Sequence, residues 1–252
     1  MTGDFLVRVV SNGRITRDLY DIVMESDAPE DFLPAPGQFA HISASGVFLR
    51  RPISIAGYDR DNRRVRFIVR AAGRGTEAIT SMSPGESTRA LMPLGNPFPM
   101  ERTGGADVWL VGGGIGVAPL IYAARRLYEA GSRIKSFLGF RDKRDIFGER
   151  ELGAFGEVST DTGGFVTDPV KSALTAGRPD VIFACGPGPM LASLQKICRE
   201  ENLTAYASLE ARMGCGVGAC LVCSCMVKGE RTEYRKVCKD GPVFDIEEVV
   251  LS

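Results

Sequence analysis

The chain is 252 residues long, 44% hydrophobic and 25% charged, enough for about two domains and a sizeable core. Lys plus Arg and Asp plus Glu balance at 31 each, which argues against nucleic acid or an anionic membrane as a partner. The longest apolar stretch, 108–124, is broken by four glycines and Pro119 and makes a poor membrane span.

Residues 1 to about 100 read as short strands and turns: 5–10, 18–24, 37–43, 51–56 and 65–70, with Asp59-Arg-Asp-Asn62 turning between the last two. Such spacing predicts a small antiparallel barrel. The fourth strand carries Leu49-Arg50-Arg51-Pro52-Ile53-Ser54-Ile55. Arg51 suits a diphosphate and Ser54 a flavin or its phosphate, and strand alternation is expected to send both to one face. The same run also reads as an ordinary edge strand. Ile68-Val69-Arg70 follows, then Gly73-Arg-Gly75-Thr76 opening a short helix, a second phosphate seat.

From about Asp107 the texture becomes strand, helix, strand. Strands are expected at 108–111, 134–140, 157–160, 181–184 and 205–209, and helices at 118–130 and 190–201. That alternation predicts a doubly wound parallel sheet. The first strand runs into Gly112-Gly113-Gly114-Ile-Gly116-Val-Ala118-Pro119, a turn on which a pyrophosphate approaches backbone at a helix start. About seventy residues later Cys185-Gly186-Pro187 ends another strand. Both turns are expected on the carboxyl edge of one sheet, where ligands bind. Cys185 reads either as a buried strand-end thiol or as part of a nicotinamide site. Arg141, Lys143 and Arg144 read either as a 2′-phosphate contact or as a basic loop balanced by Asp142 and Asp145.

From about Glu210 the chain turns rich in cysteine and glycine. Cys215, Cys220 and Cys223 stand in C-x4-C-x2-C spacing and Cys238 returns fifteen residues later, the pattern of a plant-type [2Fe–2S] cluster. Interleaved glycines let such a loop wrap a cofactor and aim N–H groups at sulfur. Zinc is the alternative, but its sites favour two separated C-x2-C pairs or added histidine. His41 is the single histidine, which also rules out a Rieske centre. An odd cysteine count and an N-terminus without a basic start or apolar run argue against a disulfide framework and for the cytoplasm. Cys225 is a spare thiol beside the loop, and Cys198 a helical core thiol.

The electron count ties the signals together. Reduced nicotinamide gives two electrons at once and the cluster accepts one, so a flavin is needed between them. In order, Arg51-Pro-Ile-Ser54, Gly75-Thr76, Pro93-Leu-Gly95-Asn96, the Gly112–Pro119 turn, Cys185-Gly-Pro187 and the cysteine loop resemble the ferredoxin–NADP reductase superfamily. More narrowly, Arg50-Arg-Pro-Ile-Ser-Ile55, Glu210-Ala-Arg-Met213 with its cysteine loop, and Val237-Cys238-Lys-Asp-Gly-Pro-Val-Phe244 resemble the electron-transfer subunits of NAD-dependent dihydroorotate dehydrogenases. Gly214, where alanine is expected, and Cys225 are the departures.

The resemblance implies three domains: a FAD-binding β-barrel at 1–102, a doubly wound NAD-binding α/β domain at 103–209 and a small [2Fe–2S] domain at 210–252. It implies FAD against Arg51, Pro52, Ile53, Ser54, Ile68, Val69, Arg70, Gly75 and Thr76. NAD is implied at Gly112, Gly113, Gly114, Gly116, Ala118, Pro119, Cys185, Gly186 and Pro187, and the cluster on Cys215, Cys220, Cys223 and Cys238. Family members pair with an FMN-containing catalytic subunit, as a heterotetramer of two of each, that oxidises dihydroorotate to orotate in pyrimidine biosynthesis. The chain has no room for that catalytic barrel and no candidate base for it. The alternatives are a reductase feeding a hydrogenase, a sulfur-reducing complex or a ferredoxin, a free-standing NAD(P)H reductase, and a zinc-stabilised binding module.

Overall fold

The computed structural model describes residues 2–229 and 233–251. Met1, residues 230–232 and Ser252, which fall in the expected outer domains, lie outside them. Strands β1 (Gly3–Arg14), β2 (Leu19–Ser26), β3 (Phe39–Ile42), β4 (Arg51–Asp59) and β5 (Arg64–Arg70) appear where alternating residues predict strands. Helix α1 (Arg74–Thr80) follows, then β6 (Ser87–Leu94). The six strands close a barrel in the order β1-β2-β5-β4-β3-β6. Strand β6 is absent from the sequence expectation because Pro93 lowers its strand signal. It nonetheless pairs with both β1 and β3. Inward side chains such as Val7, Ile22, Ile42, Ile55, Phe67 and Met92 fill the interior.

The second layer opens with β7 (Asp107–Gly113), a glycine turn and α2 (Val117–Glu129). It continues through β8 (Arg133–Phe140), α3 (Glu149–Gly153), β9 (Glu157–Thr162), α4 (Thr167–Leu174), β10 (Val181–Cys185), α5 (Gly188–Glu201) and β11 (Ala205–Ser208). Pro119 sits in the first turn of α2, where a missing N–H costs no helical bond. Arg125 and Arg126 are among the few open positions of α2; Val117 to Ala124 are buried. Such a helix is covered on both sides. It packs on the sheet through a core shared with the barrel residues Leu19, Ala56 and Ile68, while Tyr122 joins the barrel core and its hydroxyl donates to the Pro34 carbonyl at 2.7 Å.

The last segment adds a hairpin, β12 (Ser224–Val227) with β13 (Glu233–Lys236), and β14 (Val243–Asp245). Strand β14 joins the parallel sheet antiparallel to β11, giving the order β14-β11-β10-β7-β8-β9. The cysteine-rich segment is thus sewn into the sheet by its own tail. Gln195 on α5, buried, donates through Nε2 to the carbonyls of Ile246 and Val249, the latter at 2.8 Å. Replacing Gln195 with Leu leaves buried carbonyls unpaired and should lower unfolding stability by about 2 kcal/mol. Chemical denaturation of the purified chain reads this, and a change under about 0.5 kcal/mol would make the clamp dispensable.

Candidate redox centre

The carboxyl edge of the sheet faces strands β4 and β5 across one cleft of about 230 Å³. From the barrel come Pro52, Ile53, Ser54, Ile68, Val69 and Arg70, and from the sheet side Gly116, Ala118, Pro119 and Cys185. Six of the nine residues expected to serve flavin and four of the nine expected to serve nicotinamide therefore meet in one place; Gly75, Thr76, Gly112, Gly113, Gly114, Gly186 and Pro187 lie outside its lining. Arg51 does not line it. Arg51 and Ser54 are three residues apart, so a two-residue period cannot give them one face, which corrects the expectation of a shared side. Arg51 instead donates to the Leu49 carbonyl at 2.5 Å, and its guanidinium fills the space a side chain at Gly75 would need. The Thr76 hydroxyl accepts the N–H groups of Ala72 and Gly73 at 3.0 and 3.2 Å, shaping the turn into α1.

The two glycine turns touch. Register sets Cys185 beside Gly112, and a Cβ on Gly116 would overlap the Cys185 carbonyl. A Cβ on Gly113 would strike Pro187 and Met190, so the two turns are packed directly on each other there, at residues outside those that line the cleft. Gly114, at φ 53°, faces open space. Burial, with the nearby Glu210 charge, pushes the Cys185 thiol up to about 12, so it stays neutral and packs. Burial likewise raises Cys198 to about 12.

Sequence reasoning left out the part of the cleft made by Ser208, Leu209, Glu210, Ala211 and Met213. These follow β11 and lead straight into the cysteine loop, so cleft and loop are consecutive in the chain. Arg70 Nε lies 3.3 Å from Asp18 yet is buried without a hydrogen-bond partner among the described residues. A largely apolar cleft with Gly116 in its wall and the half-buried, ion-paired Arg70 at its side fits a flat polar ring system. The 141–145 loop behaves as a balanced basic turn: Arg144 is bidentate to Asp142 at 2.6 and 3.0 Å.

The four cysteines of the expected ligand set form two pairs. Cys215 lies beside Cys220, and Cys238 beside Cys223. Among the described residues no three Cys, His, Asp or Glu side chains close on a single metal position. A two-iron cluster needs two thiolates per iron, and the four cysteines of this loop can supply them. Backbone N–H groups point at the sulfurs, from Gly218 to Cys238 Sγ at 3.2 Å and from Cys220 to Cys215 Sγ at 3.4 Å. Those donors favour thiolate, and the amides of Cys220 and Val217 lower Cys215 to about 6. Burial raises Cys238 to about 12. Cys225 sits on β12 opposite Arg235, outside both pairs, its thiol raised by burial.

The loop leans on the barrel. Cys223 and Cys238 share a core with Phe39 and Leu94, which point outward from β3 and β6. Asn96 fixes the return of the chain, its N–H donating to the Gly241 carbonyl at 2.6 Å and its amide to that of Asp240 at 2.8 Å. The tip is bare: Leu221 is 74% and Val222 60% exposed.

Barrel, parallel sheet, shared cleft and paired cysteines together define an iron–sulfur reductase of the ferredoxin-reductase fold. Comparison with known proteins narrows this. Residues 210–250 match the iron–sulfur cluster binding domain of dihydroorotate dehydrogenase B. The electron transfer subunit of dihydroorotate dehydrogenase B (NAD(+)) from Shouchella clausii is 44% identical over 96% of both chains. That from Bacillus caldolyticus is 42% identical over the full length of both. Among solved structures, an NADH-dependent reduced ferredoxin-NADP oxidoreductase superposes with TM-score 0.88 at 29% identity, covering 97% of this chain and 90% of that one. Phthalate dioxygenase reductase shares the fold, with TM-score 0.63 at 19% identity over 90% and 87%. The chain belongs to the family of dihydroorotate dehydrogenase B electron transfer subunits. Its redox groups are FAD, a [2Fe–2S] cluster and NAD.

Thiol reactivity tests the site directly. In metal-free chain at pH 7, Cys215, with a value of about 6, is mainly thiolate and should alkylate fastest. Cys185 and Cys198 should be labelled last. Peptide mapping after brief iodoacetamide treatment reads the order, and early labelling of Cys185 would contradict its burial.

Proposed function

We propose that the chain carries electrons between a catalytic subunit that holds FMN and oxidises dihydroorotate to orotate, and NAD. Two copies of each subunit would make the assembly, working in the cytoplasm in pyrimidine biosynthesis. No helix among the described residues is long and apolar enough to cross a membrane. The observation that carries this reading is the direct packing of the cysteine loop on the outer face of the barrel strands beside the cleft.

The domain limits 1–102, 103–209 and 210–252 remain our division of labour. Pro52, Ile53, Ser54, Ile68, Val69 and Arg70 would hold the flavin ring of FAD in the cleft. Arg51, beside Gly75 and Thr76, would take its diphosphate outside it. Gly112, Gly113, Gly114, Gly116, Ala118, Pro119, Cys185, Gly186 and Pro187 would seat NAD. A flavin held there supplies the exchange between two-electron and one-electron carriers. Cys215 and Cys220 would bind one iron, and Cys223 and Cys238 the other. The chain's own contribution is to hold these groups on one rigid frame and to exclude water with Phe39, Leu94 and Met213. The bare Leu221 and Val222 would lie against the partner, since exposed apolar groups mark interfaces.

The lone chain, loaded with FAD and cluster, should oxidise NADH with ferricyanide as acceptor. It should form no orotate from dihydroorotate and NAD until the catalytic subunit is added; orotate without a partner would refute the division. Cys223→Ser should lose the cluster signal and electron delivery to the partner while flavin reduction by NADH persists. Cys225→Ser should keep iron content and delivery unchanged, and iron loss in that variant would show that the ligand set is misassigned.

A further inference from the structure

His41 has no part in the sites above, and its surroundings ask for one. It lies on β3, with its register partners Pro52 on β4 and Leu91 on β6. Ala40 and Ile42 point into the barrel, so His41 points outward with Phe39, toward the cysteine segment. The ring meets that segment at one place. A Cβ on Gly216 would come within 2.7 Å of His41 Nδ1, and Gly216 itself stands at φ 73°. The left-handed backbone and the missing side chain both suit the close approach of the imidazole. The backbone of Cys215 and that of Arg50 also flank the ring.

His41 is 2% exposed, and its Nε2 has no hydrogen-bond partner among the described residues. An apolar core runs along the seam from Phe39 and Leu94 to Val237 and Phe244, with the Arg50 and Arg51 charges near the ring. An aliphatic residue would close it without burying an unpaired polar atom, which is costly. Polar groups beside metal-ligating thiolates, by contrast, orient the ligands and set the potential of an iron–sulfur group.

We propose that His41 is a positioning residue for the cluster: it locks the Cys215–Gly216 turn to the barrel strand beside Pro52 and supplies the polar ring at the Cys215 end. It thereby connects the flavin-side strands to the cluster loop through one side chain. The inference rests on the cluster assignment made above.

The sequence makes the test clean, because His41 is the single histidine. Holoprotein grown with ¹⁵N-histidine and reduced to the one-electron cluster state should show a ¹⁵N coupling in pulsed EPR, absent from unlabelled protein. His41→Phe keeps a flat ring and removes both nitrogens. It should shift the cluster's g values and midpoint potential while FAD content and the FAD potential stay at wild-type values, and His41→Gln should return them part of the way. A labelled protein with full iron and no histidine coupling would overturn the proposal, as would His41→Phe with an unchanged cluster signal and potential. If His41→Phe does not fold, the labelling result on the wild-type chain decides. Wild-type protein without iron would instead defeat the cluster assignment, so the two failures are told apart.

Discussion

Everything in this molecule that concerns electrons depends on covering the outward face of β3. A barrel strand has two sides, and only one can face the interior. Ala40 and Ile42 take that side, leaving Phe39 and His41 with their backs to the rest of the protein. The cysteine segment is too short to build a core of its own. It uses Phe39 and Leu94 as its core, and Cys223 and Cys238 are buried against them. The seam removes apolar surface that neither part could hide alone. It also places a one-electron carrier against the strands that line the cleft, so the contact that stabilises the fold is the contact that shortens the electron path.

A second close approach fixes the other end of that path. The turns at Gly112–Gly116 and Cys185–Pro187 touch backbone to backbone, which brings the sheet edge near enough for β4 and β5 to close the cleft from the opposite side. Helix α2 enforces the distance, since it is buried against sheet and barrel together. The ion pairs of Arg66 with Asp21 at 2.9 Å and Glu151 at 2.5 Å add a polar clasp between barrel and sheet layer. Cleft width is therefore set by packed elements, not by loops free to drift.

Much of this was legible in the chain because the chemistry demands particular residues at particular spacings. Cysteines must sit at fixed intervals to share a cluster, and glycines must stand where a backbone approaches another backbone. Both leave marks that survive without tertiary context. The strands 51–56 and 65–70 and the helix at 118–130 were likewise legible from periodicity. What was not legible depends on partners distant in sequence. Strand β6 carries Pro93 and looks broken until β1 and β3 are seen on its two sides. Strand β14 is three residues long and exists only because β11 offers an edge. The shared face expected of Arg51 and Ser54 was a misreading of the strand period itself, since residues three apart on a strand face opposite sides. Nothing in the sequence marked His41, since its meaning arises from Gly216, 175 residues away.

The order of segments along the chain carries a further physical consequence. Barrel and sheet come first, and the cysteine loop comes last and closes on both: β14 pairs with β11, and Asn96 donates to the carbonyls of Gly241 and Asp240. The four thiols can therefore reach their paired positions only against an existing surface. Metal binding is coupled to folding wherever the ligand set is not preformed, and here the scaffold supplies much of that preformation, with amides already directed at Cys215 and Cys238. The loop's outer side remains apolar and open at Leu221 and Val222. One side of the loop is thus committed to the chain's own cleft and the other left free, the asymmetry required of a carrier that receives electrons at one face and passes them on at the opposite one.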